Sequence, residues 1–228
     1  TEIYTLSLHD ALPISSRERR AREIADVLAQ WYPDATGSPL NWRTPLELLV
    51  ATILAAQSRD DTVNRAMPDL MARFGDARAL ADAPIEALEE RVKTTGFFRN
   101  KARAVQACCR QLVERHDGEV PPRMADLVAL SGVGRKTANV VLTNCFQIPG
   151  IVVDTHVLRV SGRLGLTASS DPETVEAAVG ALLPPQEWAA FCHRVTWFGR
   201  QVCLARKPRC PECRLRPLCP FATGGKAG

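Results

Sequence analysis

No run of apolar residues in this sequence is long enough to cross a bilayer, which sets a membrane-spanning role aside. Period-two alternation of apolar and polar residues is almost missing, so a β-sheet architecture is excluded and an all-α class is expected. The stretch Thr1 to Ser15 lacks the basic start, long apolar middle and small-residue cleavage site of a secretory signal. A secreted disulfide framework is missing as well: of the 8 cysteines, four crowd near the C-terminus in ligand spacing. A reducing, cytoplasmic setting fits these absences. Charge is not extreme either, since a net +4 is compatible with a nucleic-acid partner without demanding one. What remains is an ordinary globular composition, 46% hydrophobic over 228 residues, enough to bury a full core as one large domain or two small ones.

The most informative stretch runs Leu130-Ser131-Gly132-Val133-Gly134-Arg135-Lys136-Thr137-Ala138-Asn139-Val140-Val141-Leu142, with Val152-Val153-Asp154-Thr155-His156 soon after it. The Gly132-Val133-Gly134 step can take backbone angles that side chains resist, and it reads as a tight hairpin. A helix then opens at Arg135-Lys136 and carries an apolar face through Val140, Val141 and Leu142. Amides of the hairpin and the helix start, over Gly132, Val133, Gly134 and Arg135, point outward without partners and form a site for one phosphate of a nucleic-acid backbone. Two glycines alone would fit an ordinary helix connection; the residues around them carry the stronger signal. Lys136 lies at the positive end of a helix dipole, where its ammonium form is disfavoured, and such an amine is a usable nucleophile near neutral pH. Asp154 precedes a second helix, where a carboxylate is favoured as a cap. A nucleophilic amine and a carboxylate beside a phosphate grip describe a site for chemistry on a sugar.

Taken in order, Thr1 to Ser15 (TEIYTLSLHDALPIS) resembles translated sequencing-adapter read-through more than a native leader, and it is set apart together with His9. Ser16 to Tyr32 reads as a helix with Ile24, Val27, Leu28 and Trp31 on one face; Arg17, Arg19, Arg20 and Arg22 in its first turns read as a solvated end. Thr44-Pro45-Leu46-Glu47 is a strong helix start, and the nearly all-apolar Leu48 to Ala56 marks a buried central helix that ends at Gln57-Ser58-Arg59-Asp60. Asp61 to Phe74 is helical, with Pro68 expected to kink or split it. Pro84 to Thr94 gives another helix, and Gly96-Phe97-Phe98-Arg99-Asn100-Lys101-Ala102 opens a long one reaching about His116. An exposed Phe97 beside Arg99 and Lys101 is suited to wedge between bases, whereas Phe98 reads as core. Helices from Met124 to Leu130, Thr155 to Leu164, Asp171 to Leu183 and Gln186 to Gln201 complete the count. Cys108, Cys109, Cys145 and Cys192 read as buried thiols, and His193 as a core histidine.

Near the C-terminus Cys203-x6-Cys210-x2-Cys213-x5-Cys219 places four thiolates in a short irregular loop, the pattern of a metal site. Sulfur-only coordination suits zinc or an iron–sulfur cluster. A zinc ribbon usually carries two close Cys-x-x-Cys pairs, and only one is present. Arg206, Lys207 and Arg209 fall between the first two ligands, where a rigid loop would turn them into a basic finger for phosphates.

The strings Leu-Ser-Gly-Val-Gly-Arg-Lys-Thr-Ala-Asn-Val-Val and Val-Asp-Thr-His closely resemble the helix-hairpin-helix DNA glycosylases, and within them the branch that also acts as an AP lyase. The family usually has Pro where this chain has Ser131, a change expected to relax the hairpin without removing its amides. The resemblance covers roughly Ser16 to Cys219. It implies two helical lobes flanking a DNA-binding cleft: a barrel with the hairpin over 38–148, and a cluster lobe built from 149–228 with the N-terminal helix, 16–37. It implies a monomeric base-excision enzyme acting on double-stranded DNA that holds damaged bases or abasic sites, with no membrane partner. Oxidised pyrimidines would be removed, and the strand cut 3′ to the abasic site by β-elimination through a Schiff base on Lys136, with Asp154 opposite. Gln57 would fill the space left by an extruded base. Phe97 would be the wedge, where the family usually has an aliphatic residue. Asp60 and His156 would line the base pocket. The spacing of Cys203, Cys210, Cys213 and Cys219 matches the family's 4Fe–4S loop, so a cluster of structural role is expected.

Three other readings compete. Adenine-specific mismatch relatives carry a catalytic Glu five residues before the glutamine and lack the lysine; here Thr52 stands at that place and Lys136 is present. A non-catalytic DNA-binding module whose cluster senses redox state would never nick an abasic site. A zinc-stabilised interaction protein would be colourless.

Overall fold

The computed structural model describes residues 15–35 and 37–224. The leader expectation therefore lies outside the described residues, except that Ser15 belongs to the fold. Its hydroxyl accepts from the Glu18 amide (3.1 Å) and Glu18 Oε2 accepts from the Ser15 amide (2.8 Å), a reciprocal cap that starts α1 (Ser16–Trp31).

Among the described residues there are twelve α-helices and no strand. After α1 come α2 (Pro45–Ala55), α3 (Asp60–Phe74), α4 (Ala77–Asp82), α5 (Ile85–Val92), α6 (Phe98–His116), α7 (Met124–Val128) and α8 (Arg135–Cys145). The chain continues through α9 (Thr155–Arg163), α10 (Pro172–Gly180), α11 (Trp188–Gln201) and the short α12 (Pro220–Thr223). The sequence locates several of the helix starts through their caps. Thr44 accepts from the Glu47 amide with Pro45 at the first turn, and Asp171 accepts from the Thr174 amide with Pro172 behind it.

Buried apolar side chains fall into two clusters. The first is centred on α2, whose Leu48, Leu49, Val50, Ala51, Ile53 and Leu54 are all buried, and it takes in α3 to α8. The second joins α1 to α9, α10 and α11 through Ile24, Leu28, Val157, Val160, Val175, Phe191 and Phe198. Fully burying each such side chain stabilises by about 1.5–3 kcal/mol, so each cluster holds its helices independently of their modest intrinsic propensities.

Four expectations change. α3 runs through Pro68 as one helix rather than splitting, because Val63, Met67, Leu70, Met71 and Phe74 anchor it on both sides of the proline. α4 is an element the sequence reading passed over; Asp76 caps it by accepting from the Ala79 amide (2.8 Å). Arg17 and Arg20 are not merely a solvated end: they donate to the Leu166 and Gly165 carbonyls (2.8 and 2.7 Å) and fasten α1 to the turn after α9. Cys145 is half-buried, whereas Cys108, Cys109 and Cys192 are buried as expected.

Candidate active site

The hairpin between α7 and α8 is closed by the Val133 amide donating to Leu130 O (3.1 Å) and by the Ser131 amide donating to Gln111 Oε1 (2.6 Å). Its two glycines do different work. Gly132 sits at φ +74°, and a Cβ there would stand 3.0 Å from the Ala104 methyl of α6, so this residue seats the hairpin on the first cluster. Gly134 has an ordinary extended backbone, and a Cβ on it would meet nothing within 4 Å; it keeps the outer face bare. No side chain caps the start of α8, so the amides of its first turn stay free for an anion. Val133 departs from the expected grip: its amide is used inside the hairpin and its side chain is buried. Arg135 turns away to Glu176, donating through Nε (2.7 Å) and Nη2 (3.1 Å).

In the first turn of α8, exposed Lys136 enters a cleft of about 340 Å³ between the two apolar clusters. From the other side, Asp154 heads α9 and reaches the same cleft. Its Oδ1 accepts from the His156 and Val157 amides (2.8 and 2.7 Å), and its Oδ2 accepts from the Thr196 hydroxyl (3.1 Å). The carboxylate is thus held in one orientation with Oδ2 still able to accept from the cleft. Gln57, Asp60 and His156 line the same space. Gln57 is exposed in a left-handed conformation (φ +54°) at the end of α2. Asp60 Oδ2 accepts from Arg200 Nη2 (3.0 Å), an ion pair from α3 to α11 across the mouth.

Sequence reasoning missed three cleft residues. His193, Thr196 and Arg200 all face it from α11, at the three- and four-residue spacing that puts polar side chains on one helical face. His193 is therefore a wall of the cleft and not a core histidine. Burial lowers its pKa, opposed by nearby Asp154. His156 is lowered too, mainly by burial, with Arg159 and Arg200 adding to the effect and Asp154 and a hydrogen bond donated to the Gly199 backbone carbonyl opposing it. Cys192 lies at the cleft floor, where burial pushes its thiol up to about 12 and leaves it unreactive.

Phe97 stands apart from the cleft lining, 67% exposed and left-handed (φ +47°) at the head of α6. Phe98 packs on the first cluster as expected. Lys101 does not: it is 6% exposed, so it is no surface cation beside the aromatic ring.

Beyond α11, Cys203, Cys210, Cys213 and Cys219 line one apolar cavity with Leu164 and Phe198. Burial and mutual repulsion among these sulfurs raise Cys213 and Cys219, a conflict that a bound metal centre would relieve. Arg163 braces the loop, donating to Leu204 O (2.7 Å), Ala205 O (3.0 Å) and Cys203 Sγ (3.4 Å). Among the described residues no three His, Cys, Asp or Glu side chains converge on a single metal ion. Arg206, Lys207 and Arg209 are exposed on the first span of this loop.

A hairpin with free backbone donors, set beside a cleft holding an amine and a carboxylate, defines a helix-hairpin-helix protein of DNA base excision. Residues 50–185 match the family described as HhH-GPD superfamily base excision DNA repair protein. Within it the chain belongs to the endonuclease III family. It is 50% identical over 210 residues to endonuclease III of Synechocystis sp., covering 92% of this chain and 95% of the relative. With endonuclease III of Haemophilus influenzae it shares 40% over 199 residues, 87% of this chain and 94% of the other. The fold superposes on a trapped endonuclease III–DNA covalent intermediate with a TM-score of 0.86 at 39% identity, over 91% of this chain and 97% of that one. The protein is accordingly a base-excision DNA glycosylase/AP lyase. No helix among the described residues is long and apolar enough to cross a membrane.

Proposed function

We propose that this enzyme removes oxidised pyrimidines from double-stranded DNA and cuts the strand 3′ to the resulting abasic site through a Schiff base on Lys136. The observation that carries the reading is the shared cleft: an exposed amine from one cluster faces a fixed carboxylate from the other, with room between them for an everted nucleotide. Free amides at Gly134, Arg135 and Lys136 grip one phosphate beside it. Gln57 and Phe97 enter the duplex, and eversion costs a few kcal/mol, least for weakened pairs. Asp60 and His156 contact the extruded base, joined by His193.

In the chemical step the Lys136 amine forms a bond to C1′ of the deoxyribose as the base departs with the glycosidic electron pair. Asp154 takes the proton that the amine must lose, or balances positive charge as it develops at C1′. The nitrogen lone pair then opens the sugar ring, breaking C1′–O4′ as O4′ takes up a proton, and leaves an imine between Lys136 and C1′; the imine acidifies the C2′ proton, whose removal expels the 3′ phosphate and breaks the strand.

The four cysteines would hold a 4Fe–4S cluster, which suits four thiolates around one apolar cavity better than a single ion does. Such a cluster would fasten the loop that carries Arg206, Lys207 and Arg209 to phosphates. We assign the barrel to 38–148 and the cluster lobe to 149–228 with helix 16–37; the enzyme acts as a monomer in the cytoplasm.

Borohydride reduction of the enzyme on abasic DNA tests the central step. The wild type is expected to give a covalent adduct, and Lys136→Ala to bind the same DNA without forming one. Undiminished trapping by the variant would remove Lys136 from the role.

A further inference from the structure

Lys101 is unusual in being a buried ammonium that forms no ion pair among the described residues. An unpaired buried charge is costly, and an aliphatic side chain at this place would dock α6 without that cost. Its Nζ is spent on two loops instead. It donates to Thr95 O (2.7 Å), in the turn before Phe97, and to Ser58 Oγ (2.5 Å), the residue after Gln57. Ser58 Oγ in turn donates to Thr95 O, so one group from each of two loops and the Lys101 ammonium of α6 close on one another. Thr95 is itself buried, and its hydroxyl donates to Val92 O (2.7 Å). Immediately outside this knot sit Gln57 and Phe97, both exposed and both left-handed, a backbone state that residues with side chains keep only when their surroundings hold them there.

We propose that Lys101 is a positioning residue for duplex entry: it ties the Gln57 turn to the Phe97 turn, so that the two tips advance into DNA as one rigid pair. The proposal rests on the reading of Gln57 and Phe97 as the residues that enter the duplex. Inserted side chains must hold a nucleotide out of its stack against a free-energy cost, and a tip that recoils by an ångström gives that hold away. A single-stranded abasic oligonucleotide requires no such hold. Lys101 should therefore matter for duplexes and not for the lyase chemistry as such.

The test uses the full chain with Lys101→Met, Ser58→Ala, Gln57→Ala and Phe97→Ala. Eversion is read from 2-aminopurine fluorescence beside an abasic site, and single-turnover cleavage is compared on duplex and single-stranded abasic DNA. In Lys101→Met the ratio of duplex to single-strand cleavage should fall about tenfold or more, with a matching loss of the fluorescence change. Ser58→Ala leaves the lysine bonded to Thr95 and should lower the ratio by a smaller factor; it carries the test if Lys101→Met does not fold. Adding Lys101→Met to Phe97→Ala should cost less than the two changes cost separately. An equal fall on both substrates would make Lys101 a purely structural residue and overturn the proposal. An unchanged ratio in the Lys101 and Ser58 variants, with Gln57→Ala and Phe97→Ala both impaired, would overturn the clamp and leave the entry reading standing. An unchanged ratio in the Gln57 and Phe97 variants would overturn both.

Discussion

Asp154 has two duties that substitution can separate. As a cap, its Oδ1 accepts from two amides at the head of α9 (2.8 and 2.7 Å), and as an active-site group its Oδ2 faces the cleft beside Thr196. Asp154→Ala removes the cap altogether, a loss of about 1–2 kcal/mol. The Thr196 hydroxyl is not stranded, since Cys192 O lies 2.9 Å away to receive it. For a chain of this size that loss lowers Tm by about 2–8 °C. Asp154→Asn keeps an oxygen for both amides, and its new amide nitrogen can donate to Thr196 once that hydroxyl turns to Cys192. Its stability should stay within about 0.5 kcal/mol of the wild type, the range of a conservative change that leaves the cap in place. Both variants lose the negative charge and the proton acceptor, so base removal should slow by about a hundredfold or more in each. Melting curves followed by circular dichroism, with single-turnover base release, measure the two effects side by side. Base removal by Asp154→Asn within a few-fold of wild type would show that Asp154 is a cap alone.

The two hairpin glycines should answer differently to alanine. Gly132→Ala places a Cβ at φ +74° and 3.0 Å from the Ala104 methyl, and should destabilise by about 1–2 kcal/mol in a melting experiment. Gly134→Ala meets ordinary backbone angles and open space, so stability should hold while affinity for undamaged duplex falls in a binding titration. His193 and His156 are both lowered from the ordinary value of 6.5, mainly by burial. Just below pH 6.5 the unfolded chain therefore binds protons that the folded chain refuses, and stability rises with pH through that window. His193→Gln should flatten part of that slope; an identical pH dependence of Tm in the variant would show that His193 does not contribute to it.

Local chemistry made part of this molecule legible in advance. The starts of α2 and α10 follow from Thr44-Pro45 and Asp171-Pro172, which have capped and opened helices as such pairs do. The hairpin and the Asp154 cap follow from short strings whose backbone demands are met within a few residues. What stayed hidden depends on chain segments far apart in sequence. Lys101 reads as a surface cation beside Phe97 until the Ser58 and Thr95 turns close on it. The first-turn arginines of α1 read as solvated until Gly165 and Leu166 supply carbonyls 145 and 149 residues away. His193 reads as core because most of its helix is apolar, and only the packing of α11 beside α9 opens its face to the cleft. α4 was passed over because six residues give too short a window for a period to show.

Strand cleavage turns on which amine takes hold of the sugar, and that can be read directly. Wild-type enzyme reduced with borohydride on abasic duplex, digested with trypsin and sequenced by mass spectrometry, should carry the sugar remnant on Lys136 of α8. A remnant on any other amine of the chain would contradict it.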